Sequence, residues 1–182
     1  MIAWINGPFG VGKTTLAKAL AVRPGGPRVV DPERVGDVLK WFVWPVWRGD
    51  FQLLRAWRLA VVVELALADR LRRGGTVLVP LSVLRPSFAR AFVTRLRRLG
   101  ISVVHITLDA DPAILRHRIA NDQVEAQAAD WRLKHIDVYL AARDELATLG
   151  PLVRTDGRTA TEVLSEVEDL IAHAQAHLGR QL

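Results

Sequence analysis

The stretch INGPFGVGKTT, residues 5 to 15, decides how the rest of the chain is read. Residues 7 to 14 satisfy G-x-x-x-x-G-K-[ST] without a mismatch, after the apolar run IAWI (2–5) and before the helical pattern TTLAKALA (14–21). Glycines allow a backbone fold tight enough to turn successive N–H groups toward phosphate oxygens. The start of the following helix adds partial positive charge at the same place. The expected cradle is Gly7, Pro8, Phe9, Gly10, Val11, Gly12, Lys13, Thr14 and Thr15, holding the phosphates of a nucleoside triphosphate. Lys13 would bridge the β- and γ-phosphates, and the Thr14 hydroxyl would complete the shell of a Mg²⁺ ion. The competing reading, a chance glycine-rich turn before a helix, does not explain why both flanks also fit.

Outward from this loop, short β-branched runs alternate with longer amphipathic stretches. Strands are expected at 2–5, 28–31, 76–80, 102–108 and 152–156, and helices at 13–21, 51–73, 86–99, 112–120, 131–148 and 159–178. Gly and Pro mark the joints, as in RPGGP (23–27), RGG (73–75) and LGP (149–151). Apolar strands alternating with helices imply an α/β fold, a five-stranded parallel sheet covered on both faces in three layers. No linker divides the 182 residues, so one nucleotide-binding domain is expected over 1–182.

Composition narrows the function further. The net charge of +6 comes almost wholly from arginine, with clusters RLRR at 70–73 and 95–98. These read as solvated helix ends, the alternatives being a nucleic-acid or an anionic lipid surface. No nucleic-acid recognition module accompanies them. Without cysteine there is no disulfide, thiolate metal site or thiol nucleophile, which agrees with a cytoplasmic address. No transmembrane segment is expected, because the longest candidate, LAVVVELALA from Leu59, is short and contains Glu64. The phosphate-binding pattern occupies the place of a signal peptide.

Many phosphate-loop proteins end their third strand on an acid. Here that strand ends Val77-Leu78-Val79-Pro80-Leu81-Ser82, with no carboxylate. The nearest substitute is Asp31, after strand two in VVDPERVG (29–36). The carboxyl ends of neighbouring strands converge on one crevice, so an acid there can face the phosphates and an acceptor together. Asp31 suits the general base for an acceptor hydroxyl or an outer ligand of the metal; it could equally cap a helix beginning at Pro32-Glu33. After strand four, Asp111-Pro112 starts a helix leading to Arg116 and Arg118, and a polar lid is expected over about 117–133. Lid arginines, Arg116, Arg118 and Arg132, suit the charge of a transferring phosphoryl group, unless they merely pair with Asp122 or Glu125. RTDGRTATEV (154–163) could lie against the nucleotide base.

One region breaks the strand–helix rhythm. DVLKWFVWPVWRGDFQLLRAWRL (37–59) holds four of the six tryptophans, and a small acceptor lobe is expected over about 37–60. Its tryptophans either form the lobe's core or stack on a substrate's flat faces. Trp57, with the polar neighbours Asp50, Gln52 and Arg58, is the substrate-binding candidate. His105 reads as a structural imidazole within a strand, and the pair His173 and His177 as surface groups.

AWINGPFGVGKT (3–14), VVDPERVG, DFQ (50–52) with Trp57-Arg58, VLVPLSVLRP (77–86), HITL (105–108) and the late Trp131, Lys134, Ile136, Asp137 together resemble the tunicamycin-resistance ATP-binding proteins of the TmrB type. More broadly, the layout is similar to the nucleoside, shikimate and chloramphenicol kinases of the P-loop class. The resemblance implies a P-loop kinase fold, ATP with Mg²⁺ as cofactors, and protection against tunicamycin, a uridine-linked amino-sugar antibiotic with a fatty-acyl tail. It makes Asp31 the counterpart of the base used by related phosphotransferases. The chain departs from similar proteins at Asn121-Asp122, where they often carry a second lid arginine. The expected activity is phosphoryl transfer to tunicamycin or a related small molecule. The alternative is an immunity protein that sequesters the drug without chemistry, with peripheral membrane contact through the helix around 53–73.

Overall fold

The computed structural model of the chain describes residues 1–32, 54–72 and 75–178. Most of the expected acceptor lobe, including Asp50, Gln52 and the tryptophans at 41, 44 and 47, lies outside the described residues. The described strands are β1 (Ile2–Asn6), β2 (Arg28–Val29), β3 (Val77–Pro80), β4 (Val103–Asp109) and β5 (Leu152–Arg154). The helices are α1 (Lys13–Ala21), α2 (Arg55–Leu71), α3 (Pro86–Arg98), α4 (Pro112–Ala120), α5 (Ala129–Ala147) and α6 (Ala160–Leu178). All strand pairs are parallel, in the order β2-β3-β1-β4-β5. This is the five-stranded parallel α/β sheet that the alternation of the sequence requires.

The three central strands are almost wholly buried, which is why their sequences are continuous apolar runs. Alternation along β1 sorts its side chains between two half-cores. Ile2 and Trp4 pack with Val61 and Leu65 of α2 and Phe92 and Leu96 of α3. Ala3 and Ile5 pack with Leu16 and Leu20 of α1 and Val167 and Ile171 of α6. Helix starts follow local chemistry: Pro86 and Pro112 sit in first turns, and Asp111 accepts the N–H of Ala113 at 2.8 Å.

At the carboxyl end of β1 the buried carboxamide of Asn6 uses its full hydrogen-bonding capacity. Its oxygen accepts the N–H groups of Gly7 and Val83, each at 2.9 Å. Its nitrogen donates to the Val83 carbonyl (3.0 Å) and to Nε2 of His105 (3.1 Å). One side chain thus ties the start of the phosphate loop to the segment leaving β3 and to β4. Truncation leaves buried main-chain groups unpaired, so Asn6→Ala should cost about 2–4 kcal/mol of stability, read by denaturant unfolding.

His105 is 2% exposed, and burial pushes its imidazole down from the ordinary value to about 4. The ring is neutral in the folded chain, while an unfolded His takes a proton near pH 6.5. Between those values the unfolded state binds more protons, so His105 supports stability above about pH 6.5 and withdraws it as pH falls toward 4. The loss should approach about 3 kcal/mol over that window. Unfolding free energies at pH 7, 6 and 5 should fall more steeply in the native chain than in His105→Gln; parallel profiles would refute this.

Candidate functional site

The loop after β1 takes a shape only glycine allows at two critical positions. Gly7 has φ +135°, and a Cβ there would lie 2.4 Å from the Leu108 carbonyl oxygen. Gly12, at φ +101°, occupies the N-cap of α1 in the left-handed region. The Lys13 ammonium folds back over the loop, donating to the carbonyls of Pro8 (2.7 Å) and Gly7 (3.1 Å). It also stands 5.6 Å from the centre of the Phe9 ring. The first-turn hydroxyls of Thr14 and Thr15 remain exposed.

Two adjoining cavities share Gly10, Gly12, Thr15 and Arg118. The first, about 340 Å³, runs between α1 and the start of α6 and is lined by Thr155, Arg158 and Thr159. That is where the sequence placed a nucleotide base, against RTDGRTATEV. The second, about 480 Å³, is lined by Lys13, Thr14, Asp31, Ser82 and Arg132. Strand β3 contributes Pro80 to this cleft in place of an acid. Asp31 is the carboxylate that the sheet presents there.

The segment expected as a lid joins α4 to α5 through a short 3-10 turn at Ala126–Ala128. Arg118 projects toward the cavities, its Nη1 donating to Thr155 Oγ1 at 3.3 Å. Arg132 also lines the cleft, with its Nη1 paired to Asp122 (2.8 Å) and Glu125 (3.2 Å). The Arg132 hydrogen bond, assisted by main-chain N–H groups, holds the Asp122 carboxyl below its usual range. Arg116 differs from its expected role. It lies on an exposed surface, bonded to Asp137 at 2.9 Å, and does not line the cleft. Trp57, expected at the acceptor, sits 2% exposed in the core, edge-on to Phe92 at 6.2 Å. Arg58 stacks its guanidinium 4.4 Å from the Phe88 ring.

Two acids were not singled out as site residues. Glu64 of α2 is drawn up from its usual range by burial and by the negative charge of Asp31, and its Oε2 is buried with no hydrogen-bond partner. The signal was visible as the single carboxylate inside LAVVVELALA. Asp109, at the end of β4, is 1% exposed and receives Tyr139 Oη (2.8 Å), Arg143 (2.7 Å) and Arg154 (3.0 Å). It fastens β5 and α5 to β4 beside the crevice, and holds the Tyr139 hydroxyl in its protonated form together with burial.

No ligand geometry is needed to ask whether a magnesium nucleotide fits. A positive-φ cradle, a lysine and a helix N-terminus suit phosphates, and the hydroxyl and carboxylate oxygens of Thr14 and Asp31 are the hard donors that Mg²⁺ accepts. Among the described residues, no group of three or more His, Asp or Glu side chains forms a protein-only metal site.

The model of a family described as AAA domain matches residues 2–146. The structure of the Deinococcus radiodurans tunicamycin resistance protein superimposes with a TM-score of 0.72 at 31% identity, covering 93% of this chain and 94% of that one. Two more distant structures share the fold. A gluconokinase from Sinorhizobium meliloti 1021 has a TM-score of 0.63 at 15% identity, covering 98% of this chain and 95% of its own. A shikimate kinase from Acinetobacter baumannii, in complex with shikimate, has 0.64 at 18%, covering 94% and 93%. No curated protein matches the chain in sequence. By its phosphate loop, its sheet order and these likenesses, the chain belongs to the AAA-domain family, with a P-loop kinase fold and kinship to the tunicamycin resistance protein.

Proposed function

We propose that this chain is an ATP-dependent phosphotransferase acting on a hydroxyl of tunicamycin or a related nucleoside or sugar compound. The observation that carries the reading is the second cavity, where Lys13, Thr14, Asp31 and the arginines 118 and 132 line one space. The 31% identity to a tunicamycin resistance protein supports the substrate class. Lys13 and the loop N–H groups hold the phosphate chain, and Arg118 and Arg132 offset the charge that spreads over the transferring group. Asp31 orients the acceptor hydroxyl and takes its proton onto the carboxylate. Mg²⁺, held by Thr14 and by way of Asp31, would supply charge neutralisation at the phosphates. Lid closure keeps water from competing with the acceptor.

A second reading rests on the β3 terminus, which presents Pro80 where an acid commonly serves the metal. It holds that the chain sequesters the drug, with ATP as a co-ligand. A membrane-side location suits either reading. Leu59, Val63, Leu67 and Leu71 form an exposed apolar ridge along α2, between arginines. No described helix is long and apolar enough to cross a membrane.

Mass spectrometry of tunicamycin incubated with the chain and MgATP should reveal a phosphorylated product with matching ADP release. An unchanged drug at saturation, with no ADP, would sink the transferase reading. Asp31→Asn should lower turnover by about 10²–10⁴-fold while leaving nucleotide affinity within about twofold. If Asp31→Asn still confers full resistance and binds drug tightly, sequestration is the better account. Lys13→Ala should instead weaken nucleotide binding itself, measured by calorimetry.

A further inference from the structure

Arg132 is the one buried arginine among the described residues, at 6% exposure. A buried guanidinium needs a counter-charge, and this one has two, Asp122 Oδ2 at 2.8 Å and Glu125 Oε2 at 3.2 Å, both on Nη1. Its Nε is buried without a hydrogen-bond partner. Asp122 is held in place by the turn it caps, accepting the N–H groups of Val124 (3.1 Å) and Glu125 (3.3 Å). Glu125 is looser, with its side chain 60% exposed. All three residues line the same cleft as Lys13 and Asp31, and none lines the cavity beside Thr155 and Arg158.

This placement has a chemical consequence. Carboxylate and phosphate oxygens compete for the same guanidinium donors. Among the described lining residues, the cations Lys13, Arg118 and Arg132 are matched in number by the anions Asp31, Asp122 and Glu125. On the reading that puts the base at the Thr155 end, the phosphate toward Arg132 would be the last of the chain.

We infer that Asp122 and Glu125 form an acidic clasp that occupies Arg132 in place of a terminal phosphate, and that a nucleoside triphosphate releases it while a diphosphate does not. The inference rests on the nucleotide reading above and adds a determinant of triphosphate-over-diphosphate choice. Asp122 and Glu125 are positioning residues, acting through Arg132.

Calorimetric titration of the full chain with Mg²⁺ and either ADP or the β,γ-imido analogue of ATP tests this. In Asp122→Asn/Glu125→Gln, affinity for the analogue should rise about fivefold and affinity for ADP by less than about twofold. Removing both partners leaves a buried charge uncompensated, so Glu125→Gln alone is the second variant, with the same selectivity in smaller measure. A nitrogen-15 NMR signal of the Arg132 guanidinium, assigned with Arg132→Lys, should move on adding the analogue and stay in place with ADP. Equal gains for both nucleotides, weaker analogue binding in the variants, or a signal that moves equally with ADP would each overturn the clasp. Failure of the nucleotide reading is distinguishable, since neither nucleotide would then bind the wild-type chain.

Discussion

Four hydrogen bonds to the buried carboxamide of Asn6 set the geometry on which the cleft depends. A glycine-rich loop has little of its own to hold it in one conformation, because freedom of φ is also freedom to move. Asn6 removes that freedom at the first residue of the loop, and the close approach of Gly7 to the Leu108 carbonyl removes it again one residue later. The loop is thereby fixed against β3 on one side and β4 on the other. Asp109 secures the far side in the same manner, joining Tyr139, Arg143 and Arg154 around one carboxylate. The cleft thus rests on buried, satisfied polar groups at strand ends, where a lost partner is expensive.

Much of this was legible in the chain itself. The phosphate loop carries its own turn chemistry, and continuous apolar strands between amphipathic helices leave few options besides a covered parallel sheet. Helices α1 and α4 begin and end at the expected residues because Gly12, Asp111 and Pro112 mark their starts. Strand β2 is shorter than its pattern suggested, with Arg28 and Val29 in register with β3 and the Val30 N–H donating to the Leu78 carbonyl at 2.9 Å.

The site was harder to read, for reasons of periodicity and tertiary packing. Arg116 and Arg118 are two residues apart on a helix, so they cannot share a face, and sequence alone did not say which faced the cleft. Trp57 belongs to a stripe with Val61, Leu65 and Ala68, all buried, and that helical spacing was the sign of a core residue. Arg132 comes from a different helix, and only the fold brings it beside Asp122 and Glu125. Pairing of lid arginines with those acids had been the alternative to a phosphate role. Under the clasp inferred above, the two would be competing states of the same guanidinium.

The missing acid of β3 can now be weighed against the charges that are present. Pro80 pairs in register with Ile5, so the strand end itself is intact and only the carboxylate is absent. The sheet therefore offers the cleft one acid, Asp31, which must serve both the metal's surroundings and the acceptor's proton if phosphate is to move. A second full charge beside it would repel the triphosphate that both tasks require. Glu64 is the acid in that position, and burial together with the charge of Asp31 shifts it toward its neutral form. In the segment between α4 and α5 the negative charge of Asp122 and Glu125 is offset in another way, by the Arg132 guanidinium that pairs with both.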